Sequence, residues 1–192
     1  MTTISLKCKC GAVKGSINHV SPKVGNHVVC YCEDCQAFAN HLSSNDNILD
    51  EWGGTDIYQT APWHINIHQG KEQLRCLRLT PKGLHRWYTD CCNTPVGNSI
   101  SRSIPFVGVV HSFIQRDAQT ESQLGPVKGY HKLQSAKGKV PESIQKKGMP
   151  IGTTIAVFWR LLKWKISAGD KANLFFSKSG QSISRPSVLK TD

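Results

Sequence analysis

Seven of the eight cysteines in this 192-residue chain fall in three tight groups: Cys8-Lys9-Cys10, Cys30-Tyr31-Cys32-Glu33-Asp34-Cys35 and Cys91-Cys92. The eighth, Cys76, stands alone, and no cysteine follows Cys92. Thiolates one or two residues apart can reach a single tetrahedral cation from a short loop, and zinc is the usual occupant of such sites. Cys30, Cys32 and Cys35 supply three donors from one short run. No fourth Cys or His adjoins them in sequence, although His27 and His41 come within reach of a folded loop. If neither reaches the metal, the fourth position is left to water, a substrate or an added thiol. The second set joins Cys8 and Cys10 to Cys91 and Cys92 across about eighty residues. A metal there would staple an early hairpin to a later one. Adjacent strand side chains point to opposite faces. Cys91 therefore either turns inward through an irregular loop or packs as a small hydrophobe beside a ligating Cys92. The expected cofactor is Zn²⁺ at two sites, one structural and one open.

The net charge of +11 is unevenly spread. Residues 1–124 hold 11 Lys/Arg against 10 Asp/Glu, and residues 125–192 hold 13 against 3. Such a C-terminal third attracts anions, whether small acidic thiols, nucleic acid or an anionic membrane. No base-reading nucleic-acid motif is present. No stretch nears the ~18 apolar residues of a membrane span, and no secretory signal precedes Cys8. The expected location is cytoplasmic, where clustered cysteines are metal ligands before they are disulfides.

Short apolar runs separated by Gly and Pro turns predict a mainly β fold of short antiparallel strands. A hairpin is expected over residues 3–20, turning at Cys10-Gly11. Further strands are expected over 24–31, 56–59, 65–68, 74–79 and 84–89, with 104–114 as the last strand of the core. Residues 35–41 suit a short turn or helix. The segment 117–150 is polar and basic and reads as a linker or long loop. An amphipathic helix follows Pro150, capped by Thr153 or Thr154, and ends at Gly169. Its apolar stripe of Ile155, Phe158, Trp159, Leu162 and Ile166 is expected to dock on the β domain. Membrane or nucleic-acid contact are the other uses of this basic helix. The chain thus divides into 1–116, 117–150 and 151–192, with a loose tail from Ser179. His64, His68, His85 and His111 are each isolated and read as structural.

The cysteine groups resemble those of the glutathione-dependent formaldehyde-activating family, also called the centromere protein V type. Cys8-Lys9-Cys10-Gly11 matches that family's C-x-C-G motif, and Cys30-Tyr31-Cys32-Glu33-Asp34-Cys35 matches its C-x-C-x-x-C motif. Trp87 to Pro95 matches the outline of the third motif, C-x-x-C-G-T-P, with Thr89 standing where its first cysteine is expected and Cys91 displaced by two residues. The resemblance covers residues 4–115. It implies a β-tent fold with two zinc ions. The structural ion would be held by Cys8, Cys10, Cys92 and one more ligand, and the catalytic ion by Cys30, Cys32 and Cys35. It also implies glutathione or a similar small thiol as partner, and carbon–sulfur lyase chemistry on the thiol's aldehyde adduct. The basic extension beyond the core suits a second reading: a non-enzymatic zinc-stabilised module whose C-terminal segment contacts a protein, nucleic acid or anionic membrane.

Overall fold

A computed structural model describes residues 2–42, 48–169 and 171–189, and the fold is mainly β, of short antiparallel strands with a C-terminal helix. In chain order the elements are β1 (Thr3–Lys7), β2 (Lys14–Asn18), β3 (Asn26–Cys30), α1 (Glu33–Leu42), β4 (Thr55–Thr60), β5 (Ile65–Gln69), β6 (Leu74–Arg78), β7 (His85–Thr89), β8 (Pro95–Ser101), β9 (Ile104–Val110), α2 (Ala118–Leu124), β10 (Gly129–His131), α3 (Glu142–Lys147), α4 (Ile151–Ala168) and β11 (Ser187–Val188).

Two sheets share the core. The smaller has the order β1-β2-β5; the larger runs β10-β3-β4-β9-β8-β7-β6-β11. Pairing is antiparallel throughout, except where β10 joins β3 and β11 joins β6 in parallel. Alternation dictates which face is inward: along β1, Ile4 and Leu6 are buried while Thr3, Ser5 and Lys7 face out. Ile4, Leu6, Val13 and Ile17 meet Trp87, Val107, Val109 and Phe113 in one apolar cluster. Trp87 is anchored within it by a bond from its Nε1 to Ser99 Oγ at 2.8 Å. α1 covers the larger sheet with Cys35, Phe38, Ala39 and Leu42, the three- and four-residue spacing of one helix face.

The C-terminal third departs from the sequence reading. Residues 117–150 carry α2, β10 and α3, where a linker or long loop was expected. β10 completes one edge of the larger sheet and β11 completes the other. The division at residue 116 therefore runs through a continuous sheet. The tail expected to be loose from Ser179 is not: Ser182 bridges Phe176, and β11 pairs with β6. The segment just before it is built into the core. Leu174, Phe175 and Phe176 are buried, and the Phe175 ring lies 4.8 Å from that of Trp87. An unpaired strand edge invites pairing with another chain, and these late strands cover both.

α4 ends where predicted but starts earlier, with Gly152 inside it, and packs beside β9. Its start is set by Pro150, whose carbonyl accepts from the N–H groups of Thr153 and Thr154, so neither threonine is the cap. The face that docks is also not the predicted one. Arg160 donates to the carbonyls of Pro22 (3.2 Å) and Lys23 (3.1 Å) and to Asn26 Oδ1. Trp164 is the buried residue of the helix. The stripe from Ile155 to Ile166 faces solvent. The reason is geometric: Arg160 and Trp164 stand one turn apart on the opposite side, and that side meets the acceptors around Pro22. Among the described residues no helix is long and apolar enough to cross a membrane.

Candidate metal centres

Cys8 and Cys10 leave β1 through a turn that Gly11 closes at a positive φ of 78°. Cys91 and Cys92 lie in the turn between β7 and β8, where Asn93 also takes a positive φ, 54°. Thr89 shapes this turn: its Oγ1 accepts from Thr94 N–H (3.1 Å) and its carbonyl from Asn93 N–H (2.8 Å). The turn aims both neighbouring cysteines at the first hairpin. The Sγ separations are 3.6 Å for Cys8–Cys10, 3.9 Å for Cys8–Cys91, 3.4 Å for Cys10–Cys91 and 3.8 Å for Cys91–Cys92. All four sulfurs lie within 4.8 Å of one another. A tetrahedron with Zn–S bonds of ~2.3 Å has S···S edges of about 3.8 Å. The donor set therefore fits a closed, four-thiolate ion, with Cys91 among the donors and Thr89 outside them.

Hydrogen bonds surround these sulfurs. Val13 N–H donates to Cys8 Sγ at 3.2 Å, and Thr94 Oγ1 lies 3.2 Å from Cys92 Sγ. Burial opposes ionisation of Cys92, but bonds from Thr89, Thr94 and Cys10 outweigh it and bring the thiol down to about 5. Burial holds the Cys8 thiol above its ordinary value.

The second group forms where β3 runs into α1. Cys30 ends the strand, Cys35 sits in the first helical turn, and Cys35 N–H bonds back to the Cys32 carbonyl at 3.0 Å. Cys30 and Cys32 Sγ are 3.4 Å apart, and all three sulfurs lie within 4.8 Å. Hydrogen bonds from Cys30 and Cys35 hold Cys32 as the thiolate, near the acid end of the scale at about 2; the Cys30 thiol is raised chiefly by the same bond to Cys32. Among the described residues no fourth Cys, His or carboxylate joins the group. His27 is committed elsewhere: its Nδ1 pairs with the Gly125 carbonyl (2.7 Å) and its Nε2 with Asp56 Oδ1 (2.8 Å). His41 lies exposed in the last turn of α1.

The three cysteines open into a cavity of about 280 Å³. Val28, Ile57, Leu84 and Phe106 give it apolar walls; Gln59, Asn98, His131, Lys132 and Arg86 add polar groups. Arg86 is 1% exposed. Its guanidinium reaches Cys35 Sγ (3.8 Å), Asn98 Oδ1 (3.2 Å) and Asp34 Oδ2 (3.3 Å), and lies over the Phe38 ring. Its Nε is buried with no hydrogen-bond partner among the described residues. Three thiolates and one divalent cation leave a net negative charge, which a buried guanidinium offsets. Sequence reasoning missed Arg86, whose strand, His85-Arg86-Trp87-Tyr88-Thr89, is mixed enough that a cation in it gives no signal. It also missed His131 and Lys132, because their segment reads as loop.

Of the remaining histidines, His85 and His64 have structural partners, and His68 is exposed. His85 is buried; its Nδ1 pairs with the Ile100 carbonyl (3.0 Å) and its Nε2 with Arg78 (2.7 Å). His64 lies 2.9 Å from Thr60 Oγ1. Cys76 is buried in β6, and burial pushes its thiol up to about 12.

The family described as "family of unknown function (DUF6151)" matches residues 1–159. The chain belongs to the DUF6151 family. The match takes in both cysteine groups, the cavity and the first half of α4. A protein of Rhodobacter sphaeroides known from a crystal structure is 17% identical to this DUF6151 chain. The likeness covers 65% of this chain and 97% of that one, with a TM-score of 0.45. No curated protein matches.

Proposed function

We propose that this DUF6151 member is a zinc-binding enzyme of the carbon–sulfur lyase type, acting on the aldehyde adduct of a small thiol such as glutathione. The observation that carries this reading is the three-cysteine group, which lacks a fourth donor among the described residues and opens into a cavity beside a buried arginine. An all-sulfur donor set favours zinc. In this reading Cys30, Cys32 and Cys35 hold the ion, and Cys8, Cys10, Cys91 and Cys92 hold a second, structural one. Zinc at the open group supplies a Lewis acid that polarises the C–S bond or keeps a thiol ionised near neutral pH. The apolar walls limit water around the reacting carbon. Lys132 offers positive charge to the carboxylates of an acidic thiol, and Asn98 and His131 offer hydrogen bonds to its polar groups. Motif resemblance to the formaldehyde-activating family adds support through Cys8 to Gly11 and Cys30 to Cys35.

The test is adduct formation from glutathione and formaldehyde, followed by NMR against the uncatalysed rate. Cys32→Ser should lose this activity while keeping the other metal. Turnover undiminished in that variant would sink the proposal. One observation favours the second reading, a zinc-stabilised binding module: the apolar side of α4 is exposed.

A further inference from the structure

Six large apolar side chains of α4 face solvent: Ile151, Ile155, Phe158, Trp159, Leu162 and Ile166, with exposures from 36% to 79%. At ~100° per residue they fall within one arc of about 100°. The opposite side is fixed to the body of the protein by Arg160, as described, by buried Trp164 and by the bond from Thr153 Oγ1 to the Lys128 carbonyl (3.4 Å). The helix therefore cannot roll to bury the stripe without giving up these contacts. Lys163 and Lys165 are exposed, one on each flank of the stripe, and the helix carries no acidic residue.

We propose that this face seats α4 in the headgroup region of an anionic lipid bilayer, parallel to the surface. The stripe supplies the apolar contact, Phe158 and Trp159 suit the interface, and the flanking lysines meet lipid phosphates. Contiguous apolar surface of this kind signals a partner. A second copy is disfavoured by charge, because the segment 125–192 carries 13 Lys/Arg against 3 Asp/Glu and would face itself. Nucleic acid would use the lysines and leave the stripe in water. A span is excluded by the helix's own hydropathy. The proposal deepens the binding-module reading and stands apart from the lyase reading, since neither zinc content nor turnover bears on it.

The experiment is flotation of the full, metal-loaded chain with phosphatidylcholine vesicles, with and without phosphatidylserine. The chain should float with the serine-lipid vesicles and stay behind with phosphatidylcholine alone. Lys163→Gln with Lys165→Gln should weaken partition about thirtyfold. Phe158→Ser with Trp159→Ser should weaken it about a hundredfold. Both pairs alter exposed side chains, so circular dichroism and zinc content should match the unaltered protein. Failure of that protein to float would overturn the proposal. So would equal partition of the Phe158/Trp159 variant, or a concentration-dependent dimer that this variant dissolves.

Discussion

A guanidinium that is 1% exposed must be offset by charge, and the only carboxylate that Arg86 reaches among the described residues, Asp34, is largely in water. The three thiols beside it supply the rest once they ionise around a metal. Arg86→Met should therefore weaken metal binding at Cys30, Cys32 and Cys35 by about tenfold to a hundredfold, read by chelator competition, while the four-cysteine site is unchanged. A second residue-level prediction concerns His27 and Asp56. Burial alone would lower the His27 pKa, but the bond and charge of Asp56 outweigh it and raise it above 6.5. A raised pKa contributes stability that is complete below pH 6.5 and fades as pH rises through the folded value. Asp56 is held below 3.8 by the same pair and by Arg116, against the pull of burial, so its contribution fades only in acid. Asp56→Asn should then cost more stability at pH 6 than at pH 8.5, by urea unfolding. An equal cost at both would show that the pair carries no proton-linked stability. The cysteines of both sites were legible in sequence because their spacing is itself the signal. Arg86, His131 and the commitment of His27 were not, because long-range register alone brings them to the site or takes them from it.

At the scale of elements, strands with clear alternation fell where expected: β1 to β7 and β9 each lie within or beside their predicted runs. β8 escaped, since Pro95-Val96-Gly97-Asn98 reads as turn. Gly97 is required there by close approach, as an added Cβ would lie 2.5 Å from the Gly108 carbonyl oxygen. β10 and β11 are too short to announce themselves and form by pairing with strands already in place. The apolar stripe of α4 was read correctly as a stripe, but amphipathicity does not say whether the apolar side meets protein or something else. The tail offers the sharpest test at this scale. Phe175 is fully buried against Trp87, so Phe175→Ala should cost about 3–5 kcal/mol in urea unfolding. A cost under about 1 kcal/mol would mean the tail is an appendage. By the same reasoning, a chain ending at residue 116 should aggregate, having lost both edge strands.

Across the whole molecule, the four-cysteine site joins the first hairpin to the turn between β7 and β8, and the three-cysteine site joins β3 to α1 at the mouth of a cavity. The first group has four sulfur donors and the second three among the described residues, and under the proposed function this difference separates a staple from a working site. The C-terminal third then finishes the sheet, supplies His131 and Lys132 to the cavity wall, and holds the basic helix apolar side out. The central claim, that the chain builds two metal centres of which one is open, is tested most directly by zinc per chain in protein purified under reducing conditions without chelator. Two zinc ions are expected in the unaltered protein and one in Cys32→Ser. One or fewer in the unaltered protein, or two retained in Cys32→Ser, would contradict it.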